Sequence, residues 1–143
     1  MNRILSKLDL QNSFRCIVNT IDTSLWTCVI PAAGEGTRLE YSRPKVLYPI
    51  LDKPILHHLV ELFQKYCNRI IVVASPVGAQ EIQKELEECC SSIDFGIVIQ
   101  EDPKGMAHAV WQARDIINTP HTVVVWGDQI CLRDETISTT LAY

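Results

Sequence analysis

An α/β domain with a mostly parallel sheet flanked by helices is the fold class this sequence predicts, on three observations. Short apolar runs alternate with segments whose apolar residues recur at helical spacing, the pattern of successive strand–helix–strand units. The run at 69–75, RIIVVAS, is apolar almost throughout rather than alternating, as expected when both faces of a sheet are covered. The polar features that break the pattern are a glycine loop beginning at Gly34, then Gln100, then Asp128. Each comes after an apolar run, so they meet at the carboxyl edge of a parallel sheet, where ligands of such folds gather.

The elements run in order along the chain. Residues 25–33, LWTCVIPAA, are rich in β-formers and end at glycine, which predicts a first buried strand. Residues 53–67 carry Pro54 near a helix start, and Ile55, Leu56, Leu59, Val60 and Phe63 recur at helical spacing. A second strand at 69–75 leads to a charged amphipathic helix at 79–90, whose Glu81, Glu85, Glu87 and Glu88 read as a solvated face. DFGIVIQ at 94–100 is a third strand. Residues 105–118 are a helix with Ala107, Val110, Trp111, Ala113 and Ile117 as inner positions. HTVVVWGD at 121–128 is a fourth strand, and residues 134–143 open a further helix. At the other end, Ile4, Leu5, Leu8 and Leu10 fit a short amphipathic helix, so residues 1–24 read as an N-terminal helical extension and 25–143 as the domain proper.

The bulk numbers fit one ordinary domain. The chain has 143 residues, 47% hydrophobic and 21% charged, enough to bury a core. Its 13 basic and 17 acidic residues give a net charge of −4, which argues against a general nucleic-acid surface. No apolar run approaches the roughly 20 residues of a membrane span, and the N-terminus lacks a signal-peptide core, so the expectation is a cytoplasmic protein with no membrane partner. The six cysteines (Cys16, Cys28, Cys67, Cys89, Cys90 and Cys131) show no C-x-x-C spacing and read as reduced, buried thiols. Trp26, Trp111 and Trp126 read as core or half-buried, and His57, His58 and His108 as structural.

Residues 31–45, PAAGEGTRLEYSRPK, contain the chemistry. Glycines let a backbone turn tightly and bring its N–H groups close to oxyanions. Arg38 offers a planar fork for phosphate oxygens, and Lys45 a mobile point charge. The P-loop pattern is absent, and the dinucleotide fingerprint fails because position 39 is Leu. Gly-Glu-Gly alone reads as a tight strand–helix turn; Arg38 and Lys45 tip the reading to phosphate binding. Taken singly, Asp128 and Gln100 could be ordinary residues ending a strand, and Lys45 a solvated loop charge.

Together these stretches resemble the sugar-1-phosphate nucleotidyltransferases, also called nucleotide-sugar pyrophosphorylases, in their N-terminal NTP-binding portion. Ala32, Ala33, Gly34, Gly36, Thr37, Arg38, Leu39, Pro44, Lys45, Leu47 and Pro49 match the signature A-A-G-x-G-T-R-[LM] and the P-K-x-L that comes after it. QEDPKGMAHAV at 100–110 resembles the base-recognition segment, and VVVWGD at 123–128 the strand ending in Gly-Asp. Met106 stands where the family usually has Thr or Leu.

The resemblance implies a Rossmann-like nucleotide-diphospho-sugar transferase fold. It implies Mg²⁺-dependent transfer of a nucleotidyl group from an NTP to a sugar 1-phosphate, giving NDP-sugar and pyrophosphate. By match, Ala32, Ala33 and Gly34 approach base and ribose, and Gly36 and Thr37 cradle phosphates. Arg38 holds the β and γ phosphates, and Lys45 neutralises the α-phosphate or the incoming sugar phosphate. Gln100 and the Gly105 backbone contact the base, and Asp128 binds Mg²⁺. Gln100 is commoner in members using UTP or dTTP. Family catalytic domains are longer, so the chain is expected to be a truncated or reduced member that holds the NTP-binding half and lacks the acceptor-binding half. A non-sugar acceptor such as phosphocholine or a polyol phosphate, and a non-catalytic nucleotide-binding or regulatory subunit, are the alternatives. Homo-oligomerisation is left open.

Overall fold

The computed structural model describes residues 21–34, 41–90 and 92–142. The helix expected near the N-terminus, together with Gly36, Thr37 and Arg38, lies outside the described residues. A single 3₁₀ turn at Thr23–Leu25, capped by the Asp22 side chain on the Ser24 N–H, leads into strand β1, Trp26–Pro31. A 3₁₀ turn at Lys45–Leu47 precedes a short hairpin of β2, Pro49–Ile50, and β3, Lys53–Pro54. Helix α1 spans Ile55–Phe63, β4 Arg69–Ala74, α2 Ala79–Cys89 and β5 Asp94–Ile99. Helix α3, Met106–Gln112, tightens into a 3₁₀ turn at Ala113–Ile116; β6 is His121–Val124 and α4 Asp134–Leu141.

The four long strands form a parallel sheet in the order β5-β4-β1-β6. Thr27 lies beside Arg69 in β4 and Thr122 in β6, and Arg69 beside Asp94 in β5. The chain therefore steps outward from β1 to β5 and then returns across β1 to β6. That reversal opens a crevice at the carboxyl ends of β1 and β6.

The apolar runs fill both faces with period two. Cys28, Ile30, Ile70 and Val72 join one cluster with Leu56, Leu59, Val60 and Phe63 of α1, Ile82 and Leu86 of α2, and Ile137 and Leu141 of α4. Val29, Ile71 and Val73 face the other way, onto Ala109 and Ala113. This is why those runs have no polar alternation. All five apolar positions expected on α1 are buried.

Three expectations need correction. On α3 the inward residues are Ala109 and Ala113. Ala107 is exposed, Val110 and Ile117 are half-buried, and Trp111 is 62% exposed. Small side chains let this helix sit close to Val29 and Ile71, and the 3₁₀ turn at Ala113 shifts the register of the residues after it. Trp126 is also 50% exposed, whereas Trp26 is half-buried against the His121 ring. Of the described thiols, Cys131 is exposed; Cys28, Cys67 and Cys90 are buried, Cys89 is half-buried, and all are free. The β2–β3 hairpin was not anticipated, because Leu51 (φ 48°) and Asp52 (φ 64°) form its turn where Gly or Asn is the usual signal.

Candidate active site

The crevice holds a cavity of about 300 Å³ lined by Pro31 to Gly34 after β1, Lys45 and Val46, Gln100 after β5, Gly105 and Met106 at the start of α3, and Trp126 to Asp128 after β6. Strands β1, β5 and β6 are each carried past their last sheet residue by one more backbone bond. Ala32 N–H donates to Val73 O (2.7 Å), Gln100 N–H to Ala74 O (2.8 Å) and Val125 N–H to Val29 O (3.0 Å). The polar residues thus leave a rigid edge, not a loose loop. A neighbouring cavity of about 460 Å³ shares Ala32, Ala33, Gly34 and Gln100 and extends to Tyr41, Arg43 and Ser75.

Lys45 heads its 3₁₀ turn, and the turn is anchored by Val46 and Leu47, both almost wholly buried. Its Nζ donates to Asp128 Oδ2 at 2.5 Å, across 83 residues of sequence. Both side chains remain accessible, at 39% and 47% exposure. Asp128 is set by a turn in which Gln129 N–H donates to Trp126 O and Ile130 N–H to Asp128 O. Gly127 is needed there for close approach: a Cβ would lie 3.3 Å from the Pro31 carbonyl oxygen.

Gln100 is a buried polar residue, 5% exposed. Its Nε2 lies 3.3 Å from Gly105 O and 2.8 Å from His108 Nδ1. His108 Nε2 is in turn 2.8 Å from the Gln112 amide. Gly105 has φ 91°, a left-handed conformation that disfavours any side chain, and this turn points its carbonyl back at Gln100.

Of the expected site residues, the fold brings Ala32, Ala33, Gly34, Lys45, Gln100, Gly105 and Asp128 around one cavity. Two contributors were missed. Arg43 reaches Glu81 (2.5 Å) and Glu85 (3.0 Å) on α2, which raises its proton affinity, Glu81 first, and braces the turn that presents Lys45. Glu81 and Glu85 are therefore not merely a solvated face, and His57 Nε2 also sits 3.0 Å from Glu85. This His57 contact is close enough for an ion pair but not aligned as a hydrogen bond. The other contributor is His108, read as packing, whose ring instead meets the Gln100 amide. An arginine one residue before Pro-Lys, and Gln and His eight residues apart, were the only available signals, and neither specifies a contact.

A parallel sheet with a buried glutamine amide and a lysine–aspartate pair around one cavity at its carboxyl edge defines an α/β domain with a polar crevice site. The sequence matches the model of the MobA-like NTP transferase domain over residues 28–143, and the chain belongs to that family. It is 34% identical over 116 residues to the bifunctional protein GlmU of Gluconacetobacter diazotrophicus, an alignment covering 81% of this chain and 24% of the relative. It is also 34% identical over 123 residues to GlmU of Cereibacter sphaeroides, covering 85% and 27%. The chain thus spans about a quarter of the length of the curated relatives it matches. The fold superposes on a UDP-glucose pyrophosphorylase solved with UDP-glucose, with TM-score 0.67 and 22% identity over 82% of this chain and 53% of that one. A structure described as a glucose-1-phosphate thymidylyltransferase of Bacillus anthracis gives TM-score 0.72 and 21% identity over 80% and 49%. These two likenesses confirm the Rossmann-like, mostly parallel fold.

Proposed function

We propose that these residues form the NTP-binding part of a Mg²⁺-dependent nucleotidyltransferase that joins UTP or dTTP to a sugar 1-phosphate. The observation that carries the proposal is the convergence of Lys45, Gln100 and Asp128, from three separate elements, on one cavity at the crevice. The similarity to GlmU, UDP-glucose pyrophosphorylase and a thymidylyltransferase supports the same class of substrates.

In this reading an oxygen of the sugar phosphate attacks the α-phosphorus, and the bond from that phosphorus to the α–β bridging oxygen breaks. The released electron pair leaves with pyrophosphate. Catalysis of such a step is positioning and charge stabilisation. Gln100 and the backbone from Ala32 to Gly34 would hold base and ribose. Lys45 would exchange its Asp128 partner for a phosphate oxygen. By sequence match Gly36 and Thr37 would cradle the phosphates, and Arg38 would hold the leaving pyrophosphate. A magnesium ion suits the donor set: Asp128 is an accessible carboxylate beside the phosphate-facing lysine, and Mg²⁺ is commonly held by one or two carboxylates plus substrate phosphates. Among the described residues no three His, Cys, Asp or Glu cluster, and Asp128 is the carboxylate lining this cavity that would hold the ion. When bound, the ion neutralises charge on the phosphates.

No helix among the described residues is long and apolar enough to cross a membrane, and a cytoplasmic location is part of the proposal. Calorimetric titration with UTP, dTTP, CTP, GTP and ATP in Mg²⁺, on the chain and on Arg38→Ala and Asp128→Ala, tests it. Selective binding weakened by both changes is expected. No binding by the folded chain would overturn it.

A further inference from the structure

The Gln100–His108–Gln112 chain has a hydrogen-bond logic that fixes more than packing. A neutral imidazole has one donor and one acceptor nitrogen. As placed, amide nitrogens face both ring nitrogens at 2.8 Å, and both cannot donate. The Gly105 carbonyl decides between them. It already accepts from Ala109 N–H, and it also faces Gln100 Nε2 at 3.3 Å. Turning the Gln100 amide would set two carbonyl oxygens against each other. Gln100 therefore keeps its NH₂ toward Gly105 and His108, the ring accepts at Nδ1 and donates from Nε2, and Gln112 turns its carbonyl oxygen to that Nε2–H. Both donors of Gln100 are then spent. Among the described residues nothing donates to Gln100 Oε1, which leaves that oxygen as the Gln100 atom able to serve a ligand in the cavities this residue lines.

Building on the nucleotide-binding reading, we infer that His108 is a positioning residue: with Gln112 behind it, it locks the Gln100 amide so that only a carbonyl acceptor faces the base. Among pyrimidines that orientation takes an edge offering an N–H, as in uracil or thymine, and rejects one offering a lone pair there, as in cytosine. Without His108 the amide can rotate and meet either edge.

The test measures the binding of UTP and of CTP, in Mg²⁺, to the intact chain and to His108→Leu, His108→Asn, Gln100→Ala and the His108→Leu/Gln100→Ala double variant. The Gln100 side-chain NH₂ signals are tracked by NMR without nucleotide. His108→Leu should weaken UTP about fivefold, the worth of one neutral hydrogen bond, while CTP holds or tightens, so the UTP/CTP preference falls toward one. His108→Asn, which keeps an acceptor near the Nδ1 position, should restore most of the preference. In the Gln100→Ala background, His108→Leu should cost nothing further. The NH₂ signals should lose their dispersion in the Leu variant and keep it in the Asn variant. An unchanged UTP/CTP ratio, or an equal penalty in the Gln100→Ala background, overturns the inference while leaving the nucleotide reading intact. Failure of the folded wild-type chain to bind any nucleotide overturns both.

Discussion

The Lys45–Asp128 pair yields a prediction whose sign depends on the metal. The two side chains meet at 2.5 Å but are 39% and 47% exposed, and an exposed pair is worth about 0–1 kcal/mol. Removing either partner should therefore move the denaturation midpoint by no more than ~1 kcal/mol. Binding should respond far more strongly. In Mg²⁺, Lys45→Ala removes a charge-assisted contact of about 1.5–3 kcal/mol, a loss of roughly 10- to 150-fold in UTP affinity. Asp128→Ala should behave in two ways. With Mg²⁺ it should weaken UTP by at least about tenfold, the worth of one charge-assisted contact. In EDTA it should tighten UTP by about twofold to fivefold, because it removes an anion facing the phosphates and frees Lys45 from its resting partner. Calorimetry on the three chains, with and without the metal, reads both signs. Equal weakening by Asp128→Ala in the two conditions would refute the argument and leave Asp128 a purely structural residue.

Other perturbations test how the site is held. Gly78→Ala places a Cβ 2.6 Å from Pro44 Cγ, so the turn carrying Lys45 must shift; a loss of about 1–3 kcal/mol in urea unfolding, with weaker UTP binding, is expected. Leu56→Ala, at a wholly buried position under β1 and β4, should cost about 2–5 kcal/mol with little change in the affinity of the folded fraction. Burial pushes the Cys67 thiol from 9.0 up to about 12, and burial also raises Cys28. A raised folded-state value means stability is full below pH 9 and falls as pH rises toward 12, where the unfolded chain ionises first. Urea midpoints across that range should decline, and Cys67→Val should flatten the slope. A neutral thiol-reactive dye should label Cys131 first, since it is the exposed cysteine among the described residues.

Much of this was legible in the chain because short-range rules govern it. The run at 69–75 lacks polar alternation because its residues feed two cores, Ile70 and Val72 on one face and Ile71 and Val73 on the other. The spacing of Ile55, Leu56, Leu59, Val60 and Phe63 marks a helix by its own period, and all five are buried. The motif stretches revealed the family and the residues that line the cavity. What the sequence could not determine were relations between distant residues. Strand order is one, since alternating strands and helices do not say that the chain turns back across β1 to place β6 beside it. The facing of α3 is another: period suits Trp111 as well as Ala109, and only the closeness of the sheet selects the smaller side chain. Arg43 on Glu81 and Glu85, Lys45 on Asp128 and His108 on Gln100 are contacts that packing alone creates. Residue type and spacing specify which groups can donate, accept or carry charge. Which of them meet is set by three-dimensional distance, and that is decided only when the sheet and its helices close on a common core.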